Sequence, residues 1–526
     1  MLPAQHWAYS FSIGAEDIES ITNLLLEKET PLSSVELATE IIAAREDQTR
    51  RKLAEKYLGT KIYRPSERYE IGDRLIFSQL DYVTAKVVKL RDGKSTELCP
   101  LTVAAVEFED SKGGPESRLR EFVIAYDQEH PLNDADANPH PSQLRGDYTI
   151  ADILNDHQTD IVEQVDDALE RNADLVRLAG TWFVRELMLE VDIGHLHLAE
   201  AVLDMNEGGP LRPEDILEQI GGVGDAPLPL QVFSLNYHMN QDERFDEVGP
   251  AGRVLWHLTS QLPRLVREVP AILEYEPIPF DRTLLTRQMK QLEYDLDDEH
   301  SPVTSPPPEE EVSLTLIYPH RRVGTLPINS ETRHVFPAAK TPRIAITIID
   351  ALDKTEYPCW VVHEFKYVVG LAPIFQKHRL PVGAYVYLTP TEDRSRIEIE
   401  FDTYRARTEW IPVVERSERD LLRCKTAKRA IGADYDEMII VGVTNLQEVD
   451  ELGKELHAKG ASLAQLLVRL VRELSKENPQ GTVHAKILYS TLNILRRCPP
   501  GPMFAALANA PEFEDVGDSY WKLSEQ

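Results

Sequence analysis

Apolar residues along this chain follow two rhythms, one of helices and one of strands, and the changes of rhythm mark its parts. In IESITNLLLEKE, Ile18, Ile21, Leu24 and Leu25 recur at the spacing of one helix face. Thr30-Pro31-Leu32 interrupts the helix, Ser33 and Ser34 offer N-cap hydroxyls, and Val35, Leu37, Ala38 and Ile41 continue as a second one. A third helix is expected from about Asp47 to Leu58, followed by KIYRPSERYEIGDRLIF as two short strands around a polar turn. From there to about Leu132 the rhythm is that of strands, in YVTAKVVKL, ELCPLTVAAVEFE and REFVIAY. The Pro-, Asn- and Asp-rich DQEHPLNDADANPHPSQ closes this part near Pro131 to Gln143.

Helical periodicity returns in ADILNDHQTDIVEQVDDALERNADLVRLAGTWFVRELMLEV, laced with i,i+4 charge pairs. The opening pattern then recurs. HLHLAEAVLDMNEGGPLRPEDILEQIG parallels SITNLLLEKETPLSSVELATEII, with Pro210-Leu211 standing where Pro31-Leu32 stood. Leu228 to Gln241 gives a third helix, and FDEVGPAGRVLWHL a hairpin turned by Gly249 and Gly252. Asp295 to Val312, DLDDEHSPVTSPPPEEEV, is acidic and Pro-rich, so a disordered linker with mobile halves on either side is expected. Gly324 to Leu388 reads as a small β-barrel through GTLPINSETRHVFP, PRIAITIID, PCWVVHEF and LPVGAYVYL. Beyond it, ERDLLRCKTAKRA begins a helical segment, two helices break at Asn478-Pro479, and PPGPMFAALANAPEFEDVGDSYWKL adds a short helix and a hairpin. YEIGDRLIF, FDEVGPAGRVLWHL and FEDVGDSYWKL are the three copies of the hairpin phrase.

These elements predict an α+β multidomain chain, winged-helix units plus small β-barrels. The expected parts are a winged helix at 1–77, a small β-barrel or sheet at 78–135, and an acidic helical region at 146–294 with a winged helix at 195–258. The linker at 295–312, a barrel at 313–412 and a C-terminal helical or winged-helix domain at 413–526 follow. With 526 residues, the chain exceeds what one hydrophobic core organises. No apolar run approaches the ~18 residues of a membrane span, and MLPAQHWAYSFSIGAEDIES lacks the basic and apolar regions of a signal peptide, so a cytoplasmic protein is expected. Cys99, Cys359, Cys424 and Cys498 are scattered without a CxxC pair and read as reduced thiols.

Through PLSSVELATEII with YEIGDRLIF, and through FEDVGDSYWKL, the helix-and-wing units resemble the HARE-type helix-turn-helix. That resemblance implies DNA association with the third helix toward the major groove. The first copy offers cations there, Arg50, Arg51, Lys52 and Lys56, whereas LQVFSLNYHMNQ and PMFAALANA hold no Lys or Arg and suit scaffolding or protein binding. The barrel resembles the B3-type DNA-binding pseudobarrel through Leu314-Thr315, GTLPINSETRHVFP, Trp360 and Leu380-Pro381-Val382-Gly383. It departs from that family where Ala384 and Leu371 follow glycine in place of the usual Asp and Trp. By position the resemblance implies one DNA arm at His320, Arg321 and Arg322 and a second near Lys366 and Tyr367. Arginine's planar fork makes Arg321 and Arg322 the leading pair.

Charge restricts where such contacts fall. The chain carries a net −31, concentrated in residues 146–310 with 34 acids against 11 bases, while residues 311–430 hold 19 bases against 15 acids. A phosphate-facing surface fits the basic part, and the acidic part faces away or meets a basic protein partner. The expected function is double-stranded DNA binding, as a transcriptional regulator or a defence or restriction-associated component. The alternative is a protein-interaction scaffold of winged helices without DNA contact. A third reading takes Asp350, Glu364 and Lys366 as the Asp and Glu-x-Lys of a metal-dependent nuclease. His195-Leu196-His197 lacks further ligands at zinc spacing. GxxxxGK[ST], HExxH and GxSxG are missing, and no cofactor is expected.

Overall fold

The helix that opens at Ser34 does not stop where a second helix was expected to end. It runs unbroken for 23 residues, Ser34–Lys56. Ser33 and Glu36 start it with a reciprocal capping box, and no Gly or Pro interrupts EIIAAREDQTRRKLAEK, so nothing local ends the hydrogen-bond ladder. Arg50, Arg51, Lys52 and Lys56 therefore lie on the last turns of a second helix, and the expected third helix at 47–58 does not exist as a separate element.

The computed structural model describes residues 11–93, 102–109, 119–126, 128–134, 138–141, 149–307, 311–338, 341–417 and 422–524. It divides into two units, Met1–Met188 and Leu189–Gln526. Cys99 lies outside the described residues.

In the first unit, helices Ala15–Lys28 and Ser34–Lys56 are followed by a five-stranded sheet, and the next α-helix among the described residues is Ile150–Leu169. A hairpin, Leu175–Leu178 with Thr181–Val184, closes the set through Ala179-Gly180, both at positive φ as a two-residue turn requires. Leu32-Ser33 pairs with Trp182 and Thr181, so the last strand lies in the middle of a three-stranded antiparallel sheet. YEIGDRLIF is not the wing of this set. Its Arg74–Phe77 pairs with Val83–Lys86 inside the five-stranded sheet, whose core holds Tyr63, Leu75, Phe77, Val87, Val106 and Phe108. The expected boundary at 77/78 cuts that ladder.

The same order of elements recurs twice in the second unit. Ile193–Met205, the bridge residue Leu211, Pro213–Ile220, Leu228–Met239 and the hairpin Phe245–Glu247/Trp256–Leu258 form one copy. Leu463–Leu474, Val483–His484, Ala485–Leu495, Pro500–Asn509 and the hairpin Phe513–Gly517/Tyr520–Leu523 form the other. A buried tryptophan marks one register in all three: Trp182 opposite Leu32, Trp256 opposite Leu211, Trp521 opposite Val483. Gly209 leads into this register at φ +115, where an added Cβ would stand 2.5 Å from the Trp256 carbonyl oxygen.

Between these two copies, seven strands form a half-barrel sheet around a core that includes Leu314, Leu326, Ile346, Val361, Phe375, Leu388 and Ile399. Its centre is Arg343–Asp350, antiparallel to Glu356–Val362 and parallel to Arg396–Glu400. The acidic stretch after Leu296 is no loose linker, since Asp298, Glu299 and Ser305 are buried. Asn329 donates to the Asp297 carbonyl, and Ser305 and Ser330 join hydroxyls at 2.8 Å, which ties this strap to the half-barrel. The boundary expected at 412 falls inside strand Thr403–Arg416, which belongs to a separate three-stranded sheet and pairs with Leu422–Ala433. Of ERDLLRCKTAKRA, expected to begin a helix, residues 422–430 are strand in a long β-ribbon and 418–421 lie outside the described residues. Among the described residues no helix is long and apolar enough to cross a membrane.

Candidate nucleic-acid interface

His320, Arg321 and Arg322 lie on a short helix, Tyr318–Val323, that Gly324 terminates in the left-handed conformation. His320 is 0% exposed, with Nδ1 at 2.8 Å from Thr325 Oγ1 and Nε2 at 3.0 Å from Glu299 Oε2. The Arg321 Nε donates to the Leu380 carbonyl at 2.5 Å, and burial pulls its guanidinium below the usual range. Arg322 grips both carboxylate oxygens of Asp450, which hold its guanidinium above the usual range. Tyr367 is 1% exposed and its hydroxyl donates to the Leu265 carbonyl at 2.6 Å. Lys366 alone of the second expected arm is exposed, in a turn at φ 55. Apart from Lys366 the arms are therefore committed to internal contacts, and His320 and Tyr367 have no access to a ligand.

Beside them lies a buried ionic cluster. Arg497, 0% exposed, donates to Asp298 at 2.7 Å, to Glu299 at 3.1 Å and to Asn493 at 2.8 Å, while the Tyr489 hydroxyl donates to Asp298 at 3.0 Å. Burial alone would raise the Glu299 carboxyl; Arg497 and His320 outweigh it and hold the group well below the carboxylate range. The carboxylates of this cluster are already engaged by Arg497, Tyr489 and His320, and the cluster reads as architecture.

Neither do the third helices of the repeats offer phosphate contacts. Ile150–Leu169 exposes Asp152, Asp156, Asp160, Glu163 and Asp167 and contains no Lys or Arg. Leu228–Met239 and Pro500–Asn509 contain no Lys or Arg either. Arg50, Arg51, Lys52 and Lys56 are exposed at the end of the second helix, with Arg51 paired to Asp47 at 2.8 Å and Lys56 over the Tyr57 ring.

For the nuclease reading, Asp350 and Glu364 would have to meet at one metal. Asp350 ends its strand, whereas Glu364 follows Val362, which pairs with Arg343 at the opposite end. Seven residues of strand at ~3.3 Å each separate them. Asp350 is buried and engaged by Lys377 and His378, both at 2.6 Å. Among the described residues no group of three or more His, Cys, Asp or Glu side chains could hold a metal ion, His195 and His197 included. Cys359, Cys424 and Cys498 are buried, and burial pushes the Cys359 and Cys498 thiols up to about 12.

A second group of exposed cations lies on the ribbon. Arg405, Arg407, Arg416, Arg423, Lys425, Lys428 and Arg429 stand against Glu409 and Glu415 among its described residues. Its inner face carries Ile411, Val413 and Ile431 onto Ile440. The cross-strand pairs Thr408/Ala430, Trp410/Lys428 and Pro412/Thr426 share the other face. Arg407 pairs with Glu409, Lys425 with Glu415 and the half-buried Arg416 with Glu455, whereas Arg405, Arg423, Lys428 and Arg429 make no ion pair among the described residues. The signal in the sequence was the two-residue alternation in LRCKTAKRA, where Leu422 and Cys424 are buried and Arg423 is exposed. The chain matches no protein-family model, no curated protein and no solved structure.

Proposed function

We propose that this chain is a double-stranded DNA-binding protein, a regulator or a defence component, whose ribbon makes the phosphate contact. The carrying observation is the concentration of unpaired cations on Thr403–Arg416 and Leu422–Ala433 in a chain of net charge −31. A twisted two-stranded ribbon fits the major groove. The order helix, strand, helix, helix, hairpin supports the winged-helix reading of the three repeats, and the half-barrel bearing GTLPINSETRHVFP supports the B3-like reading. On this reading the repeats are a frame, since their third helices would bring carboxylates or no charge to the phosphates.

The test is fluorescence anisotropy of the full chain with a labelled duplex across a salt series. If Arg405, Arg423, Lys428 and Arg429 each neutralise a phosphate, the log–log slope is about −3.6, and replacing Arg405 and Arg429 by Ala flattens it by about 1.8. Absence of binding at low salt, or an unchanged slope in a folded variant, overturns the proposal. A second reading, the protein-interaction scaffold, is favoured by the third helices without cations, and it becomes the better one in that event.

A further inference from the structure

Phosphate contact leaves one feature of the ribbon unused. Trp410 is 65% exposed, while Trp182, Trp256, Trp360 and Trp521 are between 1% and 8% exposed. It sits mid-strand, opposite Lys428, whose Nζ lies over the indole at 5.1 Å from the ring centroid. Its neighbours on that face, Thr408, Pro412, Ala430 and Thr426, are small and leave the flanks of the ring clear. The ring is held on a paired strand whose inner face is buried, so it is a fixed plate and not a mobile tip.

We infer that Trp410 is a stacking platform for an unpaired or extruded base, so that the ribbon prefers DNA with a locally opened helix over intact duplex. The inference rests on the DNA-binding reading above and names the form of DNA. Every nucleobase offers a π-face to an indole whatever its sequence, and the ammonium of Lys428 on the ring strengthens the stack while meeting the adjacent phosphate. A stacked intact helix shows its base edges and not its faces, so the indole has no use for it.

The experiment measures anisotropy at one salt concentration with the full chain and three probes: an intact duplex, the same duplex with one unpaired thymine, and its single strand. The emission of the exposed tryptophan is followed in parallel. The unpaired-base duplex is expected to bind about 10-fold tighter than the intact one, with quenching of the red-edge emission. Trp410→Ala is expected to remove that preference and leave intact-duplex affinity within about twofold, with an unchanged melting curve. Trp410→Phe, which keeps a smaller ring, is expected to retain part of the preference and to lose the quenching. Equal affinity for the intact and unpaired-base duplexes, with unchanged emission, overturns the inference while leaving the DNA-binding proposal standing. Binding of none of the three probes overturns both.

Discussion

Replacing Arg497 by Met tests whether the strap is held by the charges buried beneath it. The methionine keeps most of the side-chain volume and removes the hydrogen bonds to Asp298, Glu299 and Asn493. Asp298 is left with the Tyr489 hydroxyl, and Glu299 with His320. All of these side chains are buried, so the two carboxylates lose their charged partner in a desolvated setting. Breaking a buried pair by removing one partner costs about 3–5 kcal/mol. At about 2 °C per kcal/mol for a unit of this size, the melting temperature falls by about 6–10 °C. The pH dependence separates this cause from lost packing. In the native chain the Glu299 carboxyl lies below its unfolded value of about 4.3, so its contribution is present above that pH and lost as pH falls through the folded value. In the variant the largest lowering influence on the Glu299 carboxyl is gone while its burial remains, so that carboxyl rises. The penalty is then largest at neutral pH, and the gap to the native melting curve narrows as pH falls from about 7 to about 5. Calorimetry at several pH values reads this directly, and Asp298→Asn added to the variant is expected to recover part of the loss. A gap that stays constant with pH, or that is below about 1 kcal/mol, refutes the account.

Asp297 is expected to act in the opposite sense. Burial raises its carboxyl to about 6, above an unfolded value of about 3.9, and its Oδ1 is buried without a partner among the described residues, so its ionised form costs stability above about pH 6 and the cost disappears as pH falls toward about 4. Asp297→Asn is expected to flatten that part of the melting profile, and an unaltered profile would show that the group titrates normally. Gly209→Ala places a methyl 2.5 Å from the Trp256 carbonyl oxygen at a φ of +115, so a loss of at least about 2 kcal/mol is expected in denaturant unfolding; a silent substitution would mean that the Leu211–Trp256 bridge can shift. Replacing Arg321 and Arg322 by Ala is expected to lower the melting temperature while changing the salt dependence of DNA binding by less than about one phosphate's worth, because both are committed to Leu380 and Asp450.

What the sequence determined by itself was local. The helices of the second and third repeats, their hairpins and the strands of the half-barrel follow from apolar spacing, caps and turn residues, because those signals act over a few positions and nothing distant opposed them. The same locality explains the errors in the first repeat. Ser33, Leu37 and Ile41 announced a helix, but only the pairing of Leu32 with Trp182 reveals that its partners stand beyond an inserted sheet. YEIGDRLIF had the composition of a wing, and tertiary pairing with Val83–Lys86 made it an interior strand. The acidic strap had the composition of a linker, and Arg497, 199 residues away from Asp298, supplies the charge that lets it be buried. Arg321 and Arg322 looked like free cations for the same reason, since sequence shows the charge of a side chain and not the carbonyl or carboxylate that already holds it. The ribbon reversed the case: its cations were countable in the chain, but which face each one takes depends on a cross-strand register that only folding sets.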